Sequence, residues 1–107
     1  MAGSVHIPWY ATGFRGEKLA AALAEIASVA PRYGATHYEV YRSRDDLYRF
    51  LQVVDFESKV DWERYWGGPE FIAFRTAASS WYQVPVLYTW NDVVAIGGIR
   101  TALEAVE

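Results

Sequence analysis

Residues Leu47 to Glu57 read LYRFLQVVDFE, with apolar side chains at odd positions (Leu47, Leu51, Val53) and at even ones (Tyr48, Phe50, Val54, Phe56). A strand sends successive side chains to opposite faces, so a strand with this pattern must be covered on both. Val5 to Thr12 predicts another strand, with Val5, Ile7, Trp9 and Ala11 on one face and His6, Pro8 and Tyr10 on the other. Pro8 has no N–H for a ladder, which predicts a bulge there or an outward-facing amide position. Leu19, Leu23, Ile26 and Ala30 recur at helical spacing and predict a helix from Glu17 to about Ala30, ended by Pro31 and Gly34. Thr36 to Ser43 is rich in aromatic and β-branched residues, and Arg44-Asp45-Asp46 joins it to the long strand as a hairpin. Ser58 and Asp61 are spaced to cap a short helix that runs to about Trp66. Gly67-Gly68 breaks it, and Pro69 begins a further helix through about Ser79, with Phe71, Phe74 and Ala78 as its apolar stripe. Val84 to Ala95 predicts the last strand, with Val84, Val86, Tyr88 and Trp90 on one face. The tail, residues 98–107, is compatible with a short amphipathic helix through Ile99, Ala102, Leu103 and Val106 or with a frayed end.

The order is β-α-β-β-α-β, the ferredoxin-like arrangement of the α+β class, in one domain over residues 1–107. It gives an antiparallel four-stranded sheet with its helices on one face. The long strand is apolar on both faces, so the other face also needs a cover. A sheet-to-sheet homodimer supplies it, and such a face can provide the area of about 800 Å² per partner that a standard interface buries.

Composition narrows the partners. A net charge of −3 provides no electrostatic footprint for nucleic acid. The absence of cysteine removes disulfides, thiolate metal sites and a cysteine nucleophile. No apolar run approaches the ~20 residues that span a bilayer. The N-terminal MAGSVHIPWY lacks the basic and apolar regions of an export signal, and a cytoplasmic location is the expectation. His6 and His37 have no third ligand at metal spacing, and neither a dinucleotide fingerprint, a P-loop nor a G-x-S-x-G elbow is present.

The segment VVDFESKVDWERYWGGPEFIAF, together with the element order, resembles the dimeric α+β-barrel superfamily, and within it the antibiotic-biosynthesis-monooxygenase-type domains. The resemblance covers about residues 5 to 97. It implies a homodimeric α+β barrel and an oxygenase that uses neither metal nor flavin on a small phenolic or polyketide-like compound, in a pocket between the sheet and the second helix. Haem-degrading relatives carry an iron-ligating histidine where Tyr65 stands here, so the resemblance does not imply haem.

The chain has 5 Trp, 8 Tyr and 5 Phe, which serve either core and interface or an aromatic pocket. Trp62, Tyr65 and Trp66 go more than halfway round a helix, so at least one faces something besides the core. Arg75, in F-I-A-F-R, either snorkels from a helix edge or binds a substrate carboxylate or phenolate. His37 shares a strand face with Glu39, as a structural histidine or as an acid/base pair. Asn91-Asp92 interrupts the last strand after Trp90, as a bulge or as a substrate-facing amide. The enzymatic reading assigns catalysis to Tyr65, Asn91 and His37, and substrate binding to Trp62, Trp66, Arg75 and Trp90. The competing reading is a non-catalytic homodimer that binds a small molecule or uses its aromatics for assembly.

Overall fold

The computed structural model describes residues 2–99. The elements are β1 (Gly3–Tyr10), α1 (Gly16–Ala27), a 3₁₀ turn (Ala30–Tyr33), β2 (Ala35–Arg42), β3 (Arg49–Phe56), α2 (Lys59–Trp66), α3 (Pro69–Ala77) and β4 (Thr89–Asn91). Helix α1 forms along its alanine-rich stretch and buries Leu19, Leu23, Ile26 and Ala27. Ser58 Oγ accepts from the Asp61 N–H to cap α2, and Pro69 opens α3 as its first residue.

The strands run in the order β2-β3-β1-β4, each antiparallel to its neighbour. This is the ferredoxin-like α+β fold, with β1 and β3 at the centre. Register separates the two faces. Val5, Ile7 and Trp9 of β1, with Phe50, Gln52, Val54 and Phe56 of β3, are buried with the helices' core residues. His6, Pro8 and Tyr10 lie opposite Val53, Leu51 and Arg49 on the other, open face. The open face is more mixed than the apolar pattern predicts, since His37, Glu39 and Asp55 share it with Leu51 and Val53. The helix-covered face in turn holds a polar residue with no exposure, Gln52.

The last strand is far shorter than the predicted Val84 to Ala95: only Thr89–Asn91 pairs in a ladder. A single bridge joins Tyr82 to Ala11, and the ladder resumes where Thr89 meets His6. Seven residue steps on one strand therefore lie opposite five on the other. The surplus loops out around Pro8, which has no N–H to offer a ladder. The tail reading falls mostly outside the described residues, which end at Ile99.

Candidate aromatic and anion-binding site

Helix α2 is amphipathic over two turns and turns Trp62 and Tyr65 into the core, where each is at most 1% exposed. Trp66 follows Tyr65 directly, so it sits about 100° further round the helix and is only half-buried. Tyr88, in the loop before β4, lays its ring against both tryptophans, at 4.8 Å from Trp62 and 5.3 Å from Trp66. Beneath them the space between sheet and α3 is filled by rings: Trp9 packs against Phe71, Phe74 and Tyr82 at 4.9–6.3 Å. What meets solvent is the rim of this cluster.

Arg75 of α3 stands at that rim. Its guanidinium carbon lies 4.1 Å from the Trp66 ring centre and 5.2 Å from that of Phe71. One nitrogen, Nη1, donates to the Trp66 carbonyl at 2.9 Å. Burial lowers the Arg75 pKa from its ordinary value, and among the described residues no carboxylate pairs with it. A guanidinium has five N–H donors, so most of this fork remains available to an anion. Among the described residues the buried Trp62 Nε1 is likewise a donor without a partner.

Tyr65 is differently committed. Its hydroxyl donates to the Ile26 carbonyl at 2.6 Å and accepts from Gln52 Nε2 at 3.2 Å, while Gln52 Oε1 accepts from Trp9 Nε1 at 3.1 Å. An indole N–H only donates, so it fixes which end of the Gln52 amide faces Trp9. Burial pushes the Tyr65 phenol far above its ordinary value, so it stays protonated. With its hydroxyl tied to α1 in the core, Tyr65 offers no exposed oxygen to a haem iron.

The residues singled out in the sequence thus fall into two groups. Trp62, Tyr65, Trp66 and Arg75 are brought together by α2 and α3. Trp90 lies on the same side of the sheet, its indole over Gly3. His37 and Asn91 are on the open face, across the sheet from Tyr65. His37 Nε2 stands 3.6 Å from Glu39 Oε2, and Asn91 Nδ2 donates to the Ser4 carbonyl at 3.0 Å. The sequence reading missed Tyr88 and Gln52. By alternation Tyr88 is only a strand residue and Gln52 carries no signal at all, because period alone does not disclose a partner.

Two surface hollows lie elsewhere. One, of about 480 Å³, runs between α1 and α3 past Ala22, Ala73, Ala77 and Trp81. The other, of about 470 Å³, lies beside Pro8, Arg49, Val84 and Leu87. Among the described residues no group of three His, Asp or Glu could hold a metal ion, and no helix is long and apolar enough to cross a membrane.

No protein-family model matches the chain, and no curated protein matches its sequence. Solved structures do match in three dimensions. A variant of SnoaB, a cofactor-independent oxygenase from Streptomyces nogalater, superposes with a TM-score of 0.76 at 14% identity, over 89% of this chain and 95% of that one. A structure named antibiotic biosynthesis monooxygenase gives 0.77 at 9% identity, over 89% and 100%. The chain has the antibiotic-biosynthesis-monooxygenase-type fold. PA3566 from Pseudomonas aeruginosa shares this fold, at a TM-score of 0.79 and 17% identity over 88% and 95%. Monooxygenase-type domains are therefore its structural neighbours, and the resemblance seen in VVDFESKVDWERYWGGPEFIAF has its counterpart in the fold.

Proposed function

We propose that this chain is a homodimeric, cofactor-independent monooxygenase-type enzyme for a small aromatic, phenolic compound, held at the Trp62–Trp66–Tyr88–Arg75 rim. The observation that carries this reading is Arg75: a partly buried cation stacked on Trp66, with no carboxylate paired to it among the described residues. A phenolate on a flat ring suits both features, the ring against Trp66 and Tyr88 and the oxyanion on the guanidinium fork. Arg75 would lower the phenol's pKa by stabilising its anion, so the proton can leave to water. The anion then reduces oxygen directly. The substrate gains one oxygen atom and gives up two hydrogens, which leave with the second oxygen atom as water. Tyr65, protonated and tied to Ile26, positions α2 in this scheme. His37 with Glu39 and Asn91 lie on the open face, where a second copy would cover them, and take no part in the chemistry at the rim.

The fold of SnoaB supports the reaction class, and the ring chemistry at the rim supports the substrate class. A second reading, a non-catalytic dimer, is favoured by the close packing of Trp62 and Tyr65. Oxygen uptake with a panel of phenols, without added metal or flavin, separates the two. Uptake that Arg75→Gln lowers about tenfold or more, with the melting temperature unchanged, supports the enzyme. Quenching of tryptophan emission by phenols without uptake supports the binding module.

A further inference from the structure

Phe14, in the turn between β1 and α1, is unusual on two independent counts. Its side chain is 95% exposed, and its backbone has φ 63°, in the left-handed region that a bulky residue rarely occupies. The turn is tied down on both sides of it. The Thr12 N–H donates to the Trp81 carbonyl at 3.0 Å, and Thr12 Oγ1 donates to the Ser80 carbonyl at 2.7 Å. The Arg15 N–H closes the turn onto the Thr12 carbonyl at 3.0 Å. A phenylalanine held in a strained conformation, with its ring in solvent, adds nothing to the core. Its use lies outside the fold.

The same end of the sheet is cationic. Segments 11–18 and 42–49 meet there: the Ala11 N–H donates to the Tyr48 carbonyl at 2.8 Å, and Arg42 Nη1 donates to Glu17 Oε1 at 2.8 Å. These two segments hold five of the 10 basic residues and three of the 13 acidic ones, in a chain whose net charge is −3. Glu17 is taken up by Arg42, and Asp46 by Tyr10 and Arg49. Among the described residues Arg15, Lys18 and Arg44 pair with no carboxylate. Leu47, in the β2–β3 connection, adds a second apolar side chain, 57% exposed.

We propose that this end of the molecule docks on an anionic lipid surface, with Phe14 and Leu47 entering the headgroup layer and Arg15, Lys18 and Arg44 on lipid phosphates. A fluid interface accepts apolar side chains that protrude on separate loops, whereas a protein partner needs a broad, closely packed face. The cations beside them give the preference for anionic lipid. Trp81 is half-buried at the same end, with Lys18 Nζ 5.6 Å from its ring centre, and its indole suits the headgroup level. The docking stands apart from the reaction proposed above, since no residue of the Trp62–Trp66–Tyr88–Arg75 rim takes part in it.

The test floats the full chain with vesicles of phosphatidylcholine alone and with vesicles of phosphatidylcholine and phosphatidylglycerol in equal parts. The chain should rise with the anionic vesicles, stay behind with the neutral ones, and release as salt is raised to about 0.5 M. Phe14→Gly removes the ring and suits the left-handed backbone. The melting temperature should therefore hold or rise while the partition coefficient falls about tenfold or more. Arg15→Gln with Lys18→Gln should lower partition to the anionic vesicles by about the same factor. Flotation that is absent, equal with both kinds of vesicle, or untouched by Phe14→Gly overturns the proposal. So does a benzoyl-phenylalanine in place of Phe14 that cross-links a second copy without any flotation, which makes the tip a contact between copies.

Discussion

Gln52 has no solvent exposure, and its amide joins β3 to Trp9 of β1 and Tyr65 of α2. Gln52→Leu keeps the volume and strands the Trp9 N–H in the core. An orphaned buried donor costs about 1–3 kcal/mol, so the melting temperature should fall by several degrees. A melting temperature equal to that of the native chain would show that the network contributes nothing net. Alternation alone could not reveal this role, because a glutamine on a core face reads as an error until its partners are known. Tyr33 and Glu70 make a second residue-scale pair. The Tyr33 hydroxyl donates to Glu70, and that hydrogen bond holds the Glu70 carboxyl below its ordinary value. A depressed folded-state pKa stabilises the fold above the unfolded carboxyl value of about 4.3, and the gain is lost as pH falls through the lower folded value. Tyr33→Phe should therefore lower the urea midpoint at about pH 7 and matter less at about pH 3. An equal effect at both pH values would remove the linkage.

Among the elements, the helices were legible because their signals are local. Ser58 caps α2 through Asp61 and Pro69 starts α3, as their spacing predicts. The break between them is sterically enforced. A Cβ on Gly68 would stand 2.9 Å from the Arg64 carbonyl, with the Tyr33 ring as close, whereas one on Gly67 meets only the Glu63 carbonyl at 3.3 Å. Gly68→Ala should cost about 1–3 kcal/mol and exceed Gly67→Ala, as compared by denaturant midpoints; the reverse order would place the constraint elsewhere. β4 was not legible because a ladder depends on its neighbour. Val84 to Ala95 has strand composition throughout, but Pro8 interrupts the ladder in the middle and β1 ends before Val93. The aromatic site was half legible for a related reason. Crowding at Trp62, Tyr65 and Trp66 marked α2, but which of the three meets solvent depends on Tyr88 and Arg75, brought there by the loop before β4 and by α3.

For the whole molecule, the apolar pattern of β3 predicts two covered faces, and the structure assigns each residue to one of them. Val54 is fully buried under the helices, while its neighbour Val53 lies on the open face, between His6 and Glu39. The two positions therefore test different things. Val54→Asp places a carboxylate in the core with no partner, at a cost of several kcal/mol, and should unfold the chain. Val53→Asp leaves each protomer folded and charges only the face that a second copy would cover. If the sheet-face dimer forms, light scattering should give twice the chain mass for the native protein and a single chain mass for Val53→Asp, with the same far-ultraviolet circular dichroism. The comparison is made at neutral pH, on the face that also carries His6 and His37. Should Val53→Asp remain a dimer there, the open face is not the interface, and the apolar residues of β3 that it carries would need another cover.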